Sequence, residues 1–225
     1  MKWQPFPKRL FRKKFDLLSF TLHSLPTQID LLRHGETEHR NRYCGSTNHP
    51  LTPLGWQQLW HAVNLPEKNS VPWNVIITSP LQRCAAFAAE LGRHQNIPVI
   101  EERRFQEIHF GDWENLSSAE IMQNDAITLM RFWQNPLIVT PPNAESLIEF
   151  NKRILSAWRE LLDRHQQKKI LFISHGGVMR IILCHVHHKP LENLFDFKVN
   201  HADRYSISIP MISGDPTVSY HPCNV

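Results

Sequence analysis

The stretch IDLLRHGETEH, residues 29 to 39, decides the fold class of this chain. Four mainly apolar residues run without a break into Arg33, His34 and Gly35. A short apolar run of this kind predicts a strand that is buried on both faces, as in a parallel sheet. Ligands bind beyond the carboxyl ends of such strands, so the polar residues after Leu32 are expected to form a site.

Further apolar runs alternate with amphipathic stretches along the rest of the chain. Strands are predicted within WNVIITS (73–79), PVIEE (98–102) and KILFIS (169–174). This alternation is typical of an α/β fold, and we expect a three-layer α/β/α sandwich with a mainly parallel central sheet. RYSISIP (204–210) alternates apolar and polar residues, which predicts a half-exposed edge strand.

Helix-start signals separate these runs. Thr52 and Pro53 are typical of an N-cap and a first helical residue, and Ser117 with Glu120 forms a candidate capping box. Two more helices are predicted over residues 81–94 and 144–165, where capping of the longer one is the expected role of Glu145 and Ser146. The helical region after Ser117 carries Ile121, Met122, Ile127, Leu129, Met130 and Phe132, and the tryptophans expected to be core and packing residues are Trp56, Trp60, Trp133 and Trp158.

Length and composition predict a single domain. The chain has 225 residues, of which 41% are hydrophobic, and this is enough for one sizeable core. Of the formal net charge of +4, much comes from six cations within the first fourteen residues. Asp16 and His23 interrupt the apolar part of this segment, which argues against a secretory signal. We expect residues 1–27 to be a poorly ordered basic extension without a role in nucleic-acid or membrane attachment, and residues 28–225 to be the domain.

The cysteines and the histidine-rich stretch CHVHHKP (184–190) are the candidates for structural or metal sites. Four cysteines lie far apart, without the pairing of a zinc site or the density of a disulfide framework, which predicts a cytoplasmic protein. CHVHHKP (184–190) contains three histidines that invite a zinc interpretation. No carboxylate cluster completes such a set, so no metal and no cofactor is expected.

Two arginines and two histidines follow strands that are distant in the sequence. Arg33 and His34 follow the first strand, His175 follows KILFIS, and Arg83 lies in the first turn of a predicted helix. A cation at a helix N-terminus opposes the helix dipole, so Arg83 needs an anionic partner there. Arginine binds phosphate oxygens through paired charge-assisted hydrogen bonds. We therefore expect a phosphate pocket.

One imidazole and one carboxyl group are candidates for the chemistry. His34 can attack phosphorus through one ring nitrogen if the other donates to a backbone carbonyl, which the glycine after it would let the chain supply. His175 is expected to hydrogen-bond the transferring oxygens. Glu107 lies among Phe105, Ile108, Phe110 and Trp113, and both these neighbours and a phosphate dianion should favour its protonated form. It is the candidate acid and, later, base.

Four motifs occur in order along the chain: LLRHGET, TSPLQR, EIHFGDWE and ISHGG. Together they resemble the histidine phosphatase superfamily, whose fold is phosphoglycerate mutase-like, and the resemblance extends from about residue 28 onward. It implies His34 as the nucleophile, Glu107 as the proton donor, and Arg33, Arg83 and His175 as phosphate ligands.

Other stretches are similar to the alpha-ribazole phosphatase branch, which removes the 5′-phosphate of a nucleotide-like intermediate late in cobalamin assembly. They are YCGSTNHPLTPLGWQQ (43–58), HFGDWE (109–114) and PPNAES (141–146). Substrate contacts are expected from Gly176, Arg40 and Asn41. Arg40 occupies a position where the family often has asparagine, and its charge would favour a more acidic substrate.

Two alternatives to a metal-independent phosphomonoesterase remain open. A phosphoglycerate mutase-type phosphotransfer would use the same residues but would return the phosphate from His34 to an acceptor. A catalytically silent phosphate-binding protein would normally have lost one or more of the five chemical residues, which are all present here. In each case the expected partner is a small phosphorylated molecule, and the protein is expected to be a monomer or homodimer.

Overall fold

The computed structural model describes residues 25–39, 41–63, 73–211, 214–223 and 225, which are built around a six-stranded sheet. The strands are β1 (Thr27–Arg33), β2 (Val75–Thr78), β3 (Val99–Glu101), β4 (Lys169–Ser174), β5 (Arg204–Ile209) and β6 (Thr217–His221). Their order is β3-β2-β4-β1-β5-β6, in which the first four are parallel and β5 and β6 are antiparallel to their neighbours. The prediction of a mainly parallel sheet is confirmed.

Five helices flank the sheet in the described part of the chain. They are α1 (Pro53–Val63), α2 (Gln82–Gln95), α3 (Ser118–Gln134), α4 (Leu147–Arg164) and α5 (Gly176–Val186). Residues of α1 and α2 share one hydrophobic cluster with one face of the sheet, while residues of α4 and α5 share another with the opposite face. Helices therefore cover both faces, as the three-layer prediction requires.

Alternating burial explains why the parallel strands look continuously apolar in the sequence. Within β4, Ile170 and Phe172 belong to the cluster under α4 and α5, while Leu171 and Ile173 belong to the cluster under α1 and α2. All four side chains are fully buried. A strand covered on both sides needs apolar residues at every position, which is the pattern that predicted it.

The predicted helix starts are confirmed by their caps. The Ser117 hydroxyl accepts from the Glu120 N–H, and the Glu120 carboxylate accepts from the Ser117 N–H, which completes a capping box. Thr52 caps α1 by accepting from the Gly55 N–H at 3.0 Å. Ser146 caps α4 in the same way, but α4 begins at Leu147 and not at residue 144. Glu145 takes no part in this cap, and the expectation for it was wrong.

The prediction that RYSISIP is an edge strand was wrong. β5 pairs with β1 on one side and with β6 on the other, so β6 is the edge of the sheet. The β6 sequence TVSYH is short and mostly exposed, and it has no apolar run that marks it as a strand. Its pairing with β5 stabilises it, which local sequence does not reveal.

A kink interrupts α3, the helix predicted after Ser117. Asp125 has non-helical backbone angles of φ −149° and ψ 54°, and its carboxylate accepts from the Thr128 N–H, which restarts the helix. A single helical period therefore does not run through α3. Within it Ile121 and Leu129 are buried, whereas Ile127 is 70% exposed. Met122 and Met130 are also exposed, and Trp133, which was predicted for the core, is 52% exposed. By contrast, Trp158 is buried, and Trp56 and Trp60 pack against the core as expected.

Two predictions, one of a site residue and one of a domain boundary, fall wholly or partly outside the described residues. Arg40 lies there, and so does most of the predicted N-terminal extension, residues 1–24. The domain boundary at residue 28 stays a prediction.

Candidate active site

The carboxyl ends of the central strands bring together residues that are far apart in the sequence. Because β1 and β4 are parallel neighbours, with Arg33 paired to Ser174, His34 and His175 leave the sheet side by side. Their ring centroids are 5.4 Å apart. A cavity of about 420 Å³, here called the strand-end cleft, lies at this edge. Four of the five predicted catalytic residues line it: Arg33, His34, Arg83 and Glu107.

His34 is held in one tautomer by its own neighbour. Its Nδ1 lies 2.7 Å from the Gly35 carbonyl oxygen, and because that oxygen can only accept, Nδ1 carries the proton. The lone pair is therefore on Nε2. Burial, with Arg33 and Arg83 nearby, lowers the pKa of His34 well below its usual value, so the imidazole is neutral at physiological pH. The close approach of α1 requires glycine at position 35, since a Cβ at Gly35 would overlap the backbone of Gly55.

Arg33 supplies a buried positive charge beside this imidazole. Its Nη1 donates to the Val199 carbonyl at 2.8 Å, which fixes the guanidinium, while its buried Nε has no hydrogen-bond partner among the described residues. Burial lowers the pKa of Arg33 to about 10, so it still carries its charge at neutral pH. An unpaired donor on a buried cation is an arrangement that an anion would satisfy.

Arg83 is fully buried and is oriented by protein groups on several sides. Its Nη1 donates to the Thr47 carbonyl and its Nη2 to the Gly45 carbonyl, both at 2.7 Å. Its Nε lies 3.2 Å from Nδ1 of His175. Because Arg83 can only donate, Nδ1 of His175 accepts, and Nε2 of His175 donates to the Ser79 hydroxyl 2.7 Å away.

His175 is therefore placed differently from the sequence-based expectation. It is fully buried, both of its ring nitrogens have protein partners, and it does not line the strand-end cleft. Its visible role in the structure is to orient Arg83. The expected contact of His175 with the transferring oxygens stays a prediction.

Glu114 organises the loop that holds Arg83, a role that the sequence reading missed. Its carboxylate accepts from the backbone N–H groups of Gly45, Ser46 and Thr47 at 3.2, 2.9 and 3.1 Å. Burial acts to raise the pKa of Glu114, but hydrogen bonds from the Thr47 hydroxyl and from the N–H groups of Phe110, Ser46 and Thr47 lower it overall, so the carboxylate is ionised. The only sequence signal was the position of Glu114 within the quoted EIHFGDWE motif.

Glu107 lies where the first turn of α5 meets the strand-end cleft. Its Oε2 accepts from the Gly177 N–H at 2.9 Å, and its Oε1 accepts from the Ile108 N–H at 3.1 Å. A Cβ at Gly177 would overlap Oε1, so glycine is required for the carboxylate to lie against the helix. This contact places the predicted acid at the edge of the strand-end cleft.

Arg153 fixes the loop that carries Glu107, a role that no local sequence pattern indicates. It donates to the carbonyls of Arg104, Gln106 and Glu107 at 2.7, 2.8 and 3.1 Å. Its Nε and Nη2 bind the Glu145 carboxylate at 2.6 and 2.8 Å. Glu145, expected as a cap, thus acts as the anionic partner of Arg153.

The rim of the strand-end cleft contains one predicted and several unpredicted residues. Asn41 lines it as expected, in the left-handed region with a φ of 60°. Arg42 also lines it and pairs with Glu120 at 3.0 Å. His201 packs with its ring centroid 5.5 Å from that of His34. Gly176, predicted to bind substrate, does not line this cleft but a neighbouring cavity.

Similarity to known proteins agrees with this arrangement. A family model for the histidine phosphatase superfamily, branch 1, matches residues 29–216. The chain belongs to the histidine phosphatase superfamily. The prediction made from its four motifs is confirmed, and the named phosphatases among its relatives support the predicted activity.

Three relatives illustrate the range of similarity. A bifunctional protein of Mycobacterium tuberculosis is 30% identical over 161 residues, covering 70% of this chain but only 43% of that protein. This chain thus spans less than half the length of the mycobacterial relative. The adenosylcobalamin/alpha-ribazole phosphatase of Escherichia coli is 28% identical, covering 76% of this chain and 84% of the relative. The crystal structure of the alpha-ribazole phosphatase from Shigella flexneri has a TM-score of 0.77 at 26% identity, covering 86% and 95%.

Within the described ranges, no group of three or more His, Cys, Asp or Glu side chains could hold a metal ion. His187, one of the histidines considered for zinc, stacks on Phe197 with a centroid distance of 5.3 Å. Within those ranges, no helix has the length and apolar character needed to cross a membrane.

Proposed function

We propose that this histidine phosphatase is a metal-independent phosphomonoesterase that works through a phosphohistidine on His34. The observation that carries the proposal is the hydrogen bond from His34 Nδ1 to the Gly35 carbonyl, which leaves the Nε2 lone pair for attack. The lowered pKa of His34 keeps that lone pair unprotonated at physiological pH. A buried imidazole held in this state beside two arginines is suited to nucleophilic attack on a phosphate dianion.

In the first step, Nε2 of His34 forms a bond to phosphorus as the bond from phosphorus to the ester oxygen breaks. Glu107, in its protonated form, gives its proton to the departing oxygen, and the alcohol leaves. In the second step, the Glu107 carboxylate takes a proton from water, whose oxygen attacks phosphorus. The N–P bond breaks, inorganic phosphate leaves, and both residues return to their starting states.

Charge neutralisation is expected to lower the barrier most. Arg33 and Arg83 line the strand-end cleft together with His34. Both guanidinium groups are held by backbone carbonyls before substrate arrives. Donors that are already oriented need no reorganisation as negative charge develops on the phosphoryl oxygens. This is how the site would work without a metal or cofactor.

The decisive experiment is rapid acid-free quenching of the protein with a phosphomonoester labelled on phosphorus, with a chelator present. The proposal expects labelled protein whose phosphate is acid-labile and base-stable, and no label on the His34→Ala variant. Hydrolysis by His34→Ala at an undiminished rate would contradict it. So would a requirement for a metal ion.

As the physiological substrate we propose the 5′-phosphate of alpha-ribazole, in cobalamin biosynthesis. Similarity to the Escherichia coli adenosylcobalamin/alpha-ribazole phosphatase supports this, together with the motifs in residues 43–58 and 109–114. The protein would act in the cytoplasm, as a monomer or homodimer, without nucleic-acid or membrane partners. In a panel of phosphomonoesters, alpha-ribazole phosphate should then have the highest kcat/KM, above phosphoglycerates, sugar phosphates and nucleotides.

The same panel addresses the two alternatives. A phosphoglycerate mutase would transfer label from a bisphosphoglycerate donor to a monophosphoglycerate acceptor faster than it releases inorganic phosphate. A silent binding protein would bind phosphate without turning over any member of the panel.

A further inference from the structure

A second cavity, of about 170 Å³, adjoins the strand-end cleft. The two cavities share Arg33 and Glu107 in their walls, so they meet at the proposed proton donor. We call the second one the apolar chamber because most of its wall is aromatic or aliphatic. Its apolar wall residues include Ile108, Phe110, Phe132, Leu147, Phe150 and Phe195.

The position of Glu107 indicates what enters the apolar chamber. A proton donor must contact the oxygen that departs from phosphorus, so the leaving group lies against the Glu107 carboxylate. That carboxylate is held on the first turn of α5 through the Gly177 N–H, and Gly177 itself lines the apolar chamber. The group attached to the departing oxygen therefore has the apolar chamber directly beside it.

Arg180 gives the apolar chamber a preference among apolar groups. Its Nε donates to the Phe197 carbonyl at 3.2 Å, and its guanidinium carbon lies 5.9 Å from the centroid of the Phe195 ring. Arg180 lines the chamber together with these aromatic walls. A cation among aromatic rings attracts the face of a further ring more strongly than it attracts an aliphatic chain.

The volume of the apolar chamber is sufficient for one aromatic ring. Apolar cavities of about 150 Å³ in protein interiors bind benzene. A small acidic leaving group would have to give up the hydration of its carboxylate among these apolar walls, which is unfavourable unless Arg180 compensates for it.

We propose that the apolar chamber is the leaving-group subsite of this enzyme and selects phosphomonoesters whose alcohol carries an aromatic ring. This rests on the proposed function, because it uses Glu107 as the proton donor. It goes further in assigning substrate preference to a defined set of wall residues.

The experiment compares three phosphate esters of primary alcohols: ethyl phosphate, 2-phenylethyl phosphate and 3-phosphooxypropionate. Their leaving oxygens are chemically alike, so differences in kcat/KM report on what the rest of the alcohol contacts. We expect 2-phenylethyl phosphate to exceed ethyl phosphate by at least about tenfold. The variants Phe195→Ser and Phe132→Ser should reduce this ratio to below about threefold.

Ile127→Ser is the matched control. Ile127 is 70% exposed, close to the 66% of Phe195, and it lines neither cavity. Its substitution should leave the ratio unchanged. Because Phe195 is at the surface, Phe195→Ser should fold even if Phe132→Ser does not.

Each failure has its own signature. Equal kcat/KM for the ethyl and phenylethyl esters would overturn the subsite while leaving the phosphatase intact. A preference for 3-phosphooxypropionate would also overturn it, since the chamber would then be binding a carboxylate on Arg180. No hydrolysis of any ester would overturn the proposed function, and the subsite with it.

Discussion

Replacement of Arg153 by methionine tests whether this residue positions the proton donor. Arg153 makes five hydrogen bonds, three to carbonyls of the loop that ends at Glu107 and two to Glu145. Methionine keeps much of the side-chain volume but none of these bonds. The loop carbonyls and the Glu145 carboxylate would then lack their partner, and Glu107 would no longer be held at the edge of the phosphate site.

The size of the effect follows from these contacts. The side chains of Arg153 and Glu145 are 25% and 18% exposed, so water relieves part of the loss. We expect the free energy of unfolding to fall by about 2 to 3 kcal/mol, less than the roughly 3 to 5 kcal/mol for breaking a fully buried pair. General acid catalysis contributes about 10²- to 10⁴-fold, so a displaced Glu107 should cost at least about tenfold in kcat/KM for an alkyl phosphate.

The assay uses leaving groups of different acidity. Nitrophenolate departs without being protonated, so kcat/KM for 4-nitrophenyl phosphate should fall less than about threefold, while that for ethyl phosphate falls at least about tenfold. Arg153→Lys should recover part of the ethyl phosphate activity. Arg93→Met is the control, because Arg93 also pairs with a glutamate but is 73% exposed and remote from the cleft. An equal loss on both esters would refute the positioning role and leave Arg153 as a stabilising residue.

Two further predictions concern the charges of the strand-end cleft. Arg33→Ala or Arg83→Ala should each lower turnover of an aryl phosphate by at least about 100-fold, since each removes one oriented cation, and a loss under about threefold would argue against the phosphate site. Burial lowers the pKa of both His34 and His175 well below 6.5, so the unfolded chain binds more protons than the folded protein as pH falls below about 6.5. Their contribution to the free energy of unfolding should therefore fall by about 1.4 kcal/mol per pH unit for each imidazole. Urea unfolding at pH 7.5 and 5.5 measures the change in the free energy of unfolding with pH. This change should be visibly smaller for His34→Asn than for the wild type. An equal change in both proteins would contradict a lowered pKa of His34.

Much of the fold was predictable because its signals are local. The apolar runs of β1, β2 and β4 are long enough and buried enough on both faces to be recognised directly. Cap residues such as Ser117 and Ser146 act on N–H groups only three positions away, so they too are visible in the sequence. The predictions that were wrong, RYSISIP as the edge strand and Trp133 in the core, depend on a strand partner and on how α3 packs.

The candidate site divides in the same way. Arg33, His34 and Arg83 were predictable because strand ends in an α/β sheet meet at one edge, whatever the distance between them in the sequence. The tautomer of His34 follows from the glycine next to it. Arg153 and Glu114 were missed because they act on backbone groups 46 to 49 and 67 to 69 residues away.

By itself, the sequence determined the layered α/β fold, the family and the candidate catalytic residues that line the strand-end cleft, because hydrophobic period, caps and strand-end position are properties of neighbouring residues. Only the tertiary structure decided which groups hold those residues in place. It put His175 behind Arg83, Glu145 on Arg153 and an apolar chamber beside Glu107. These contacts join segments that no local rule relates, since they arise only when the separate layers pack together.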